Sequence, residues 1–239
     1  MSKDNIYSDQ QNIVDFVFDE NVANVFSDMI RRSVPGYESI ITMLGVFAEK
    51  YVQQGSNVYD LGCSLGASTL SMRSRLQNTP CHMVAVDNSD AMIEKCRVNV
   101  NLASGPEVDV LSDDIRHVDI NNASLAVLNF TLQFLPLHDR EALLEKISAN
   151  MLPGGALVLS EKIAFEDDEE AKLNEELHLA FKKANGYSEL EIAQKRSAIE
   201  NVLIPETLKV HLQRLKKSGF SQAQVWFQCY NFVSIVAVK

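Results

Sequence analysis

No run in this chain approaches the ~18 to 20 consecutive apolar residues that a membrane-spanning helix needs. The opening MSKDNIYSDQQN also has neither the basic start nor the apolar stretch of a secretory leader. A soluble, cytoplasmic protein is therefore expected. Cysteine is sparse: Cys63, Cys81, Cys96 and Cys229 include no C-x-x-C pair, which argues against structural zinc and suits a reducing compartment. His82, His117, His138, His178 and His211 show no i,i+3 or i,i+4 pairing, so no metal is expected. Basic residues are outnumbered, 22 against 32 acidic, for a formal net charge of −10. Nucleic-acid affinity draws largely on clustered Lys and Arg, so a direct grip on RNA or DNA is disfavoured. Short pairs occur at Arg31-Arg32, Lys182-Lys183, Lys195-Arg196 and Lys216-Lys217, and most paired charges of this kind are solvated faces.

What is present is enough apolar residue, 46% of 239, for one substantial α/β core, and a single domain over 1–239 is expected. Helical periodicity opens the structured part at 20–32 (ENVANVFSDMIRR) and continues to about 52, with the turn-forming SVPG between the two helices. The period then changes. NVYDL (57–61), HMVAVD (82–87), EVDVL (107–111), ASLAVLNF (123–130) and ALVLSE (156–161) read as short buried strands, with helical segments between most of them. That order predicts right-handed crossovers and a parallel sheet covered on both faces. A helical insertion at 166–203 precedes a region 205–239: a helix PETLKVHLQRLKKSG from Pro205 to Gly219, then two strands joined tightly around Asn231 as an antiparallel hairpin. A mostly parallel seven-stranded sheet with this ending resembles the Rossmann-like class I fold of S-adenosylmethionine-dependent methyltransferases.

Nucleotide-binding chemistry is concentrated at the predicted strand ends of 57–161. In VYDLGCSLGAST, Gly62 and Gly66 permit a tight turn and close ligand approach, with Cys63 between them and Ser64 where a dinucleotide fold usually has a second glycine. S-adenosylmethionine has no pyrophosphate, so a serine is tolerable there. Asp60 is placed to hold the loop and attract a cationic ligand end. In VAVDN, Asp87 ends its strand where a carboxylate accepts from ribose hydroxyls, with Asn88 beside the adenine. In SDDIR, Asp114 is an acceptor for the adenine amino group and Ile115 offers its backbone, while Asn129 ends the fourth strand. Each residue alone also reads as a turn former or helix cap. Together and in order, they read as an S-adenosylmethionine site.

A catalytic apparatus is harder to find. There is no N-P-P-Y run for amino-group methylation of bases and no Pro-Cys nucleophile for cytosine. Cys63 beside Gly62 reads as a packing residue. His138 lies near a strand end that faces the site, and reads equally as an exposed loop residue. The acidic run EDDEEAKLNEE complements a helix dipole with Lys182 and Lys183 at the other end. In GYSELEIAQKRSAIENVL (186–203), Gly186 closes one helix, and Ser188 with Glu191 forms a capping box for the next. Arg196 falls between Ile192 and Ile199 and calls for an anion, from either an acidic side chain or a ligand.

FDENVANVFSDMIRRSVPGY, YDLGCSLGASTLS, LNFTLQF, LVLSEK, FKKANGYSELEIAQKRSAIENV and VWFQCYNF resemble the carboxy-S-adenosyl-L-methionine synthase family, over residues from about 19 to the end. The insertion blocks are more specific than the glycine loop. The resemblance implies conversion of S-adenosylmethionine and prephenate to carboxy-S-adenosylmethionine and phenylpyruvate through a sulfonium ylide that captures carbon dioxide. Hydroxide from prephenate would serve as the base. It also implies a homodimer that retains its product, and a partner enzyme that uses the product to carboxymethylate a tRNA wobble uridine. Tyr37, Gly62, Cys63, Ser64, Asp87, Asn88, Asp114, Ile115, Asn129 and Arg196 would form the site, with Arg196 gripping the new carboxylate. Arg31, Arg32 and Lys195 are candidates for the prephenate charges. An ordinary small-molecule methyltransferase and a non-catalytic S-adenosylmethionine-binding partner remain as alternatives.

Overall fold

The computed structural model describes residues 2–9, 15–199 and 202–239; residues 200 and 201, inside the insertion expected over 166–203, lie outside them. Helices α1 (Glu20–Ser33) and α2 (Tyr37–Tyr51) precede β1 (Ser56–Leu61), α3 (Ala67–Arg75), β2 (Cys81–Asp87), α4 (Asp90–Asn101), β3 (Glu107–Ser112), β4 (Ala123–Asn129), α5 (Leu137–Ala149) and β5 (Met151–Ala164). The chain continues through α6 (Asp168–Ala184), α7 (Glu189–Ile199), β6 (Glu206–Thr207), α8 (Leu208–Lys217), β7 (Gln222–Cys229) and β8 (Phe232–Val238). The sheet runs β3-β2-β1-β4-β5-β8-β7, and the two-residue β6, unforeseen in the sequence, pairs off this path with β5. Strands β1 to β5 pair in parallel, whereas β8 is antiparallel to β5 and β7 to β8. The order reverses between β1 and β4, so their carboxyl ends leave the crevice at which open α/β sheets take ligands.

Period-two burial divides the core. Leu125 and Val127 of β4 face one layer with Leu44 of α2 and Met72 of α3, while Ala126 and Leu128 face another with Leu143 of α5 and Leu215 of α8. Strand β4 is thus apolar on both faces, as a central parallel strand should be. Several boundaries differ from the sequence reading, and three bear on the site. Phe130 sits at φ +61 and ends β4 one residue early. Strand β5 runs from Met151 to Ala164, well beyond ALVLSE. The last helix starts at Leu208 and not at Pro205, because Glu206 is held extended by Arg140 and Arg214, and Thr207 Oγ1 caps Val210 N at 3.3 Å.

Helices α1, α6 and α7 lie beside the strand ends, joined by a buried polar cluster. Asp4 is its centre: it accepts from the Tyr187 hydroxyl, its amide donates to Asp28 Oδ2 at 2.8 Å, and Lys195 Nζ lies 3.5 Å from its carboxylate. Arg32 donates to the Asp4 carbonyl at 3.1 Å, to Asn185 O at 2.7 Å and to Asp28 at 3.1 Å, and stacks on the Tyr187 ring at 3.8 Å. Charged groups buried this way are retained only with partners. The Ser188–Glu191 capping box that opens α7 forms in both directions, at 2.7 and 3.2 Å.

Candidate functional site

A cavity of about 260 Å³ opens at the carboxyl edge of the parallel strands. One end is built from turns. After β1, Gly62 lies at φ +89, and a Cβ there would fall 2.3 Å from Thr131 Oγ1, so only glycine fits. Ser64, in the second-glycine position, also adopts a left-handed conformation, φ +50, which costs a side chain about 1 to 2 kcal/mol. Its amide donates to Asp87 Oδ2 at 2.9 Å, and the other carboxylate oxygen accepts from Ser89 N at 3.0 Å. Asp87 therefore fastens the glycine turn to the start of α4. Phe130, left-handed at the end of β4, is a second strained residue on the lining.

Burial raises the Asp87 carboxyl above its ordinary range, against the pull of the Ser89, Ser64 and Asn88 amides. Asp114 goes the other way. Its carboxylate is gripped by Arg116 Nε at 3.0 Å and Nη2 at 2.5 Å, which holds it below the usual range. Asp60 is not on the lining: it lies under the turn, takes the Thr69 hydroxyl at 2.5 Å, and burial pushes its carboxyl up to about 6. Burial, with Asp60 nearby, pushes the Tyr37 phenol up and keeps it a neutral donor. The Cys63 thiol is raised by its contact with Cys96, 3.9 Å away, and by burial; an inert thiol fits packing and not nucleophilic attack.

The opposite end carries Lys162 from the end of β5, His178 and Lys182 from α6, and Lys195 from α7. Ser33, the last residue of α1, joins two of these: its carbonyl lies 2.8 Å from His178 Nε2 and its hydroxyl 3.0 Å from Lys195 Nζ. Burial, reinforced by Lys182, Lys162 and Lys195, drives the His178 imidazole down to about 3, so it is neutral and donates to Ser33. Phe16, Phe18, Phe26 and Phe134 wall the cavity, with Phe18 edge-on to Phe16 at 5.1 Å and to Phe134 at 5.4 Å. The cavity is electrically polarised, with Asp87, Asp113 and Asp114 at one end and three lysines at the other.

The lining brings together Tyr37, Gly62, Cys63, Ser64, Asp87, Asn88, Asp114, Ile115 and Asn129, and leaves out Arg196. The Arg196 side chain is 51% exposed and pairs with Glu175 on α6, so it is neither buried nor set within an apolar face. Its neighbour Lys195 is the buried cation of α7. Of the other charge candidates, Arg31 faces solvent beside Asp28 and Arg32 is consumed in the Asp4 cluster. His138 is exposed and off the lining. Lys162, Lys182, His178 and Thr131 escaped the sequence reading, as did the anchor Asp4. Among the described residues no three His, Cys, Asp or Glu side chains cluster as metal ligands, and no helix is long and apolar enough to cross a membrane.

Residues 58–155 match a family model described as a methyltransferase domain. A methyltransferase from Methanococcus maripaludis, described as putative and S-adenosylmethionine-dependent, superposes with a TM-score of 0.58 at 17% identity, over 96% of this chain and 97% of its own. Human N-acetylserotonin methyltransferase, solved with S-adenosylmethionine, does so with a TM-score of 0.61 at 17% identity, over 92% of this chain and 55% of its own. Fold and domain model together define the class, an α/β protein of the class I methyltransferase type. The finer placement comes from full-length relatives. Carboxy-S-adenosyl-L-methionine synthases of Shewanella baltica (strain OS155) and Shewanella putrefaciens (strain CN-32) are each 58% identical over 100% of this chain and 99% of theirs. This chain belongs to the carboxy-S-adenosyl-L-methionine synthase family of enzymes.

Proposed function

We propose that the cavity converts S-adenosyl-L-methionine and prephenate to carboxy-S-adenosyl-L-methionine and phenylpyruvate. The observation that carries this reading is the full-length 58% identity with the Shewanella synthases. The lining fits the cofactor: Asn129 Oδ1 is buried without a hydrogen-bond partner among the described residues, as an atom awaiting a ligand donor would be. Asp87 accepts from the ribose hydroxyls, Asp114 and the Ile115 amide address adenine, and Tyr37 with Asn129 holds the methionine end. When bound, S-adenosylmethionine supplies the methyl carbon that takes up the carboxyl group. Prephenate loses carbon dioxide and hydroxide as it aromatises; the hydroxide removes a methyl proton and leaves as water. The protein supplies alignment and a phenylalanine wall that excludes water, not a base of its own.

Arg196 then exchanges Glu175 for the product carboxylate, a bidentate task suited to guanidinium. Leu173 and Leu177 of α6 and Leu190 of α7 are exposed, which supports a homodimer through the insertion, in which Arg196 would serve its own or the partner's site. Product passes, on this reading, to a cytoplasmic tRNA wobble-uridine carboxymethyltransferase, and the net charge of −10 agrees with a synthase that does not itself hold RNA.

Mass spectrometry of nucleotide released from the purified protein tests the reaction. A species heavier than S-adenosylmethionine by one carbon dioxide is expected; recovery of only unmodified cofactor after incubation with prephenate would overturn the synthase and leave a methyltransferase or a sensor. Arg196→Ala is expected to weaken retention of the carboxylated product by about 1.5 to 3 kcal/mol, the range for a lost charged hydrogen bond. Unmodified S-adenosylmethionine, which lacks the carboxylate, should lose far less. Equal losses in calorimetric titrations of both ligands would reduce Arg196 to a surface pairing residue.

A further inference from the structure

Lys162, Lys182 and Lys195 converge at one end of the cavity lining. Lys195 has Asp4 at 3.5 Å, whereas the Lys182 ammonium makes no hydrogen bond or ion pair with any described residue. Burial, with Lys195, Lys162 and Arg196 nearby, pushes the Lys182 ammonium down to about 7 against the pull of Glu175. Burial likewise takes Lys195 down to about 8, against the pull of Asp4. Like charges gathered in a walled cavity repel strongly, and an anion with two charges relieves that repulsion more than one with a single charge. Within the same end, Phe232 pairs across the sheet with Lys162 and meets the His178 ring edge-on at 4.9 Å, while Phe130 lies 6.0 Å from Phe232. The walls between the charges are therefore apolar and ring-sized.

We infer that Lys162, Lys182 and Lys195 form the subsite of the second substrate, a small dicarboxylate with an apolar ring, and that Lys182 selects the dianion over a monoanion. The inference rests on the proposed reaction for the identity of that substrate. The subsite itself stands on the cavity. His178 contributes position and not charge: its neutral ring donates to Ser33 and so fixes the turn of α6 from which Lys182 projects one helical turn later. Lys162 is set by its own backbone, whose amide donates to Gln133 Oε1 at 2.9 Å. The two carboxylates thus meet cations carried by three separate elements.

The test pairs turnover with binding. In steady state, Lys182→Met should raise the KM for prephenate at least about tenfold, the effect of losing one charged contact. The affinity for S-adenosylmethionine should stay within about threefold, and Lys182→Arg should restore most of the KM. Calorimetry of protein loaded with S-adenosylhomocysteine should show phenylsuccinate, a dianion, binding more tightly than 3-phenylpropanoate, a monoanion, and Lys182→Met should erase that preference. An unchanged KM, or equal binding of the two probes by the unsubstituted protein, would overturn the inference. If the unsubstituted protein forms no carboxylated product yet keeps a Lys182-dependent preference for the dianion, the reaction reading fails and the subsite stands.

Discussion

Replacing Arg140 by methionine is expected to cost about 3 to 5 kcal/mol of stability, the range for stripping one partner from a buried ion pair. The guanidinium is fully buried and makes four hydrogen bonds. It donates to the carbonyls of Leu135, Gln133 and Ile204 at 3.1, 3.0 and 2.9 Å and to Glu206 Oε2 at 2.6 Å. The other Glu206 oxygen accepts from Arg214 at 2.5 Å. Burial opposes ionisation of Glu206, but the two guanidinium groups prevail and hold its carboxyl below the ordinary range. Without Arg140, three carbonyls lose a donor and Glu206 loses one of its two cations. For a chain of this size, the loss is a fall in Tm of about 6 to 20 °C. Denaturant titration checks it: a loss below about 1 kcal/mol would mean that water replaces the guanidinium. Combining Arg140→Met with Glu206→Gln should recover part of the loss, because the charge left behind is removed as well. The effect also reaches the cavity. Gln133, Phe134 and Leu135 line it, and Gln133 ties their loop to both Ile204 and Lys162.

Asp87→Ala is expected to weaken S-adenosylmethionine binding at least about 100-fold, since on the proposed reading two charged hydrogen bonds to the ribose hydroxyls, about 1.5 to 3 kcal/mol each, are lost. A second loss compounds the first. The Asp87 carboxylate also holds the amides of Ser64 and Ser89, so the left-handed turn at Ser64 loses its restraint. Asp87→Asn keeps one acceptor oxygen and should fall between the two proteins. Calorimetric titration with S-adenosylmethionine decides the matter, and a loss of only a fewfold for Asp87→Ala would remove this carboxylate from the ribose contact.

The acidic, glycine-turned end of the cavity was legible because its residues follow strand ends. In a parallel sheet every strand leaves its carboxyl end on the same edge, so GCS after β1, DN after β2, DI after β3 and Asn129 at the end of β4 converge whatever the loops do. The lysine end was not legible for the opposite reason. Lys182 and Lys195 lie on helices, and successive helical residues point about 100° apart. Interchanging Lys195 and Arg196 between core and solvent therefore takes a rotation of one residue. Local pattern did not set that rotation: α7 buries Ile192 and Ala198, but also Gln194 and Lys195. The seat of α7 is set by Asp4, Ser33 and Tyr187, and Asp4 lies more than a hundred and eighty residues away from Tyr187, its hydroxyl partner.

By itself, then, the amino-acid order determined the α/β class, the parallel sheet with its antiparallel finish, and the acidic, glycine-turned end of the cavity. Each depends on periodicity or on residues adjacent in the chain. Only the tertiary structure decided which cations enter the cavity, that Arg196 pairs with Glu175 outside it, and that Arg140 and Asp4 hold its walls. Buried charges are stable only where distant partners meet them, and those meetings exist only once the chain has folded.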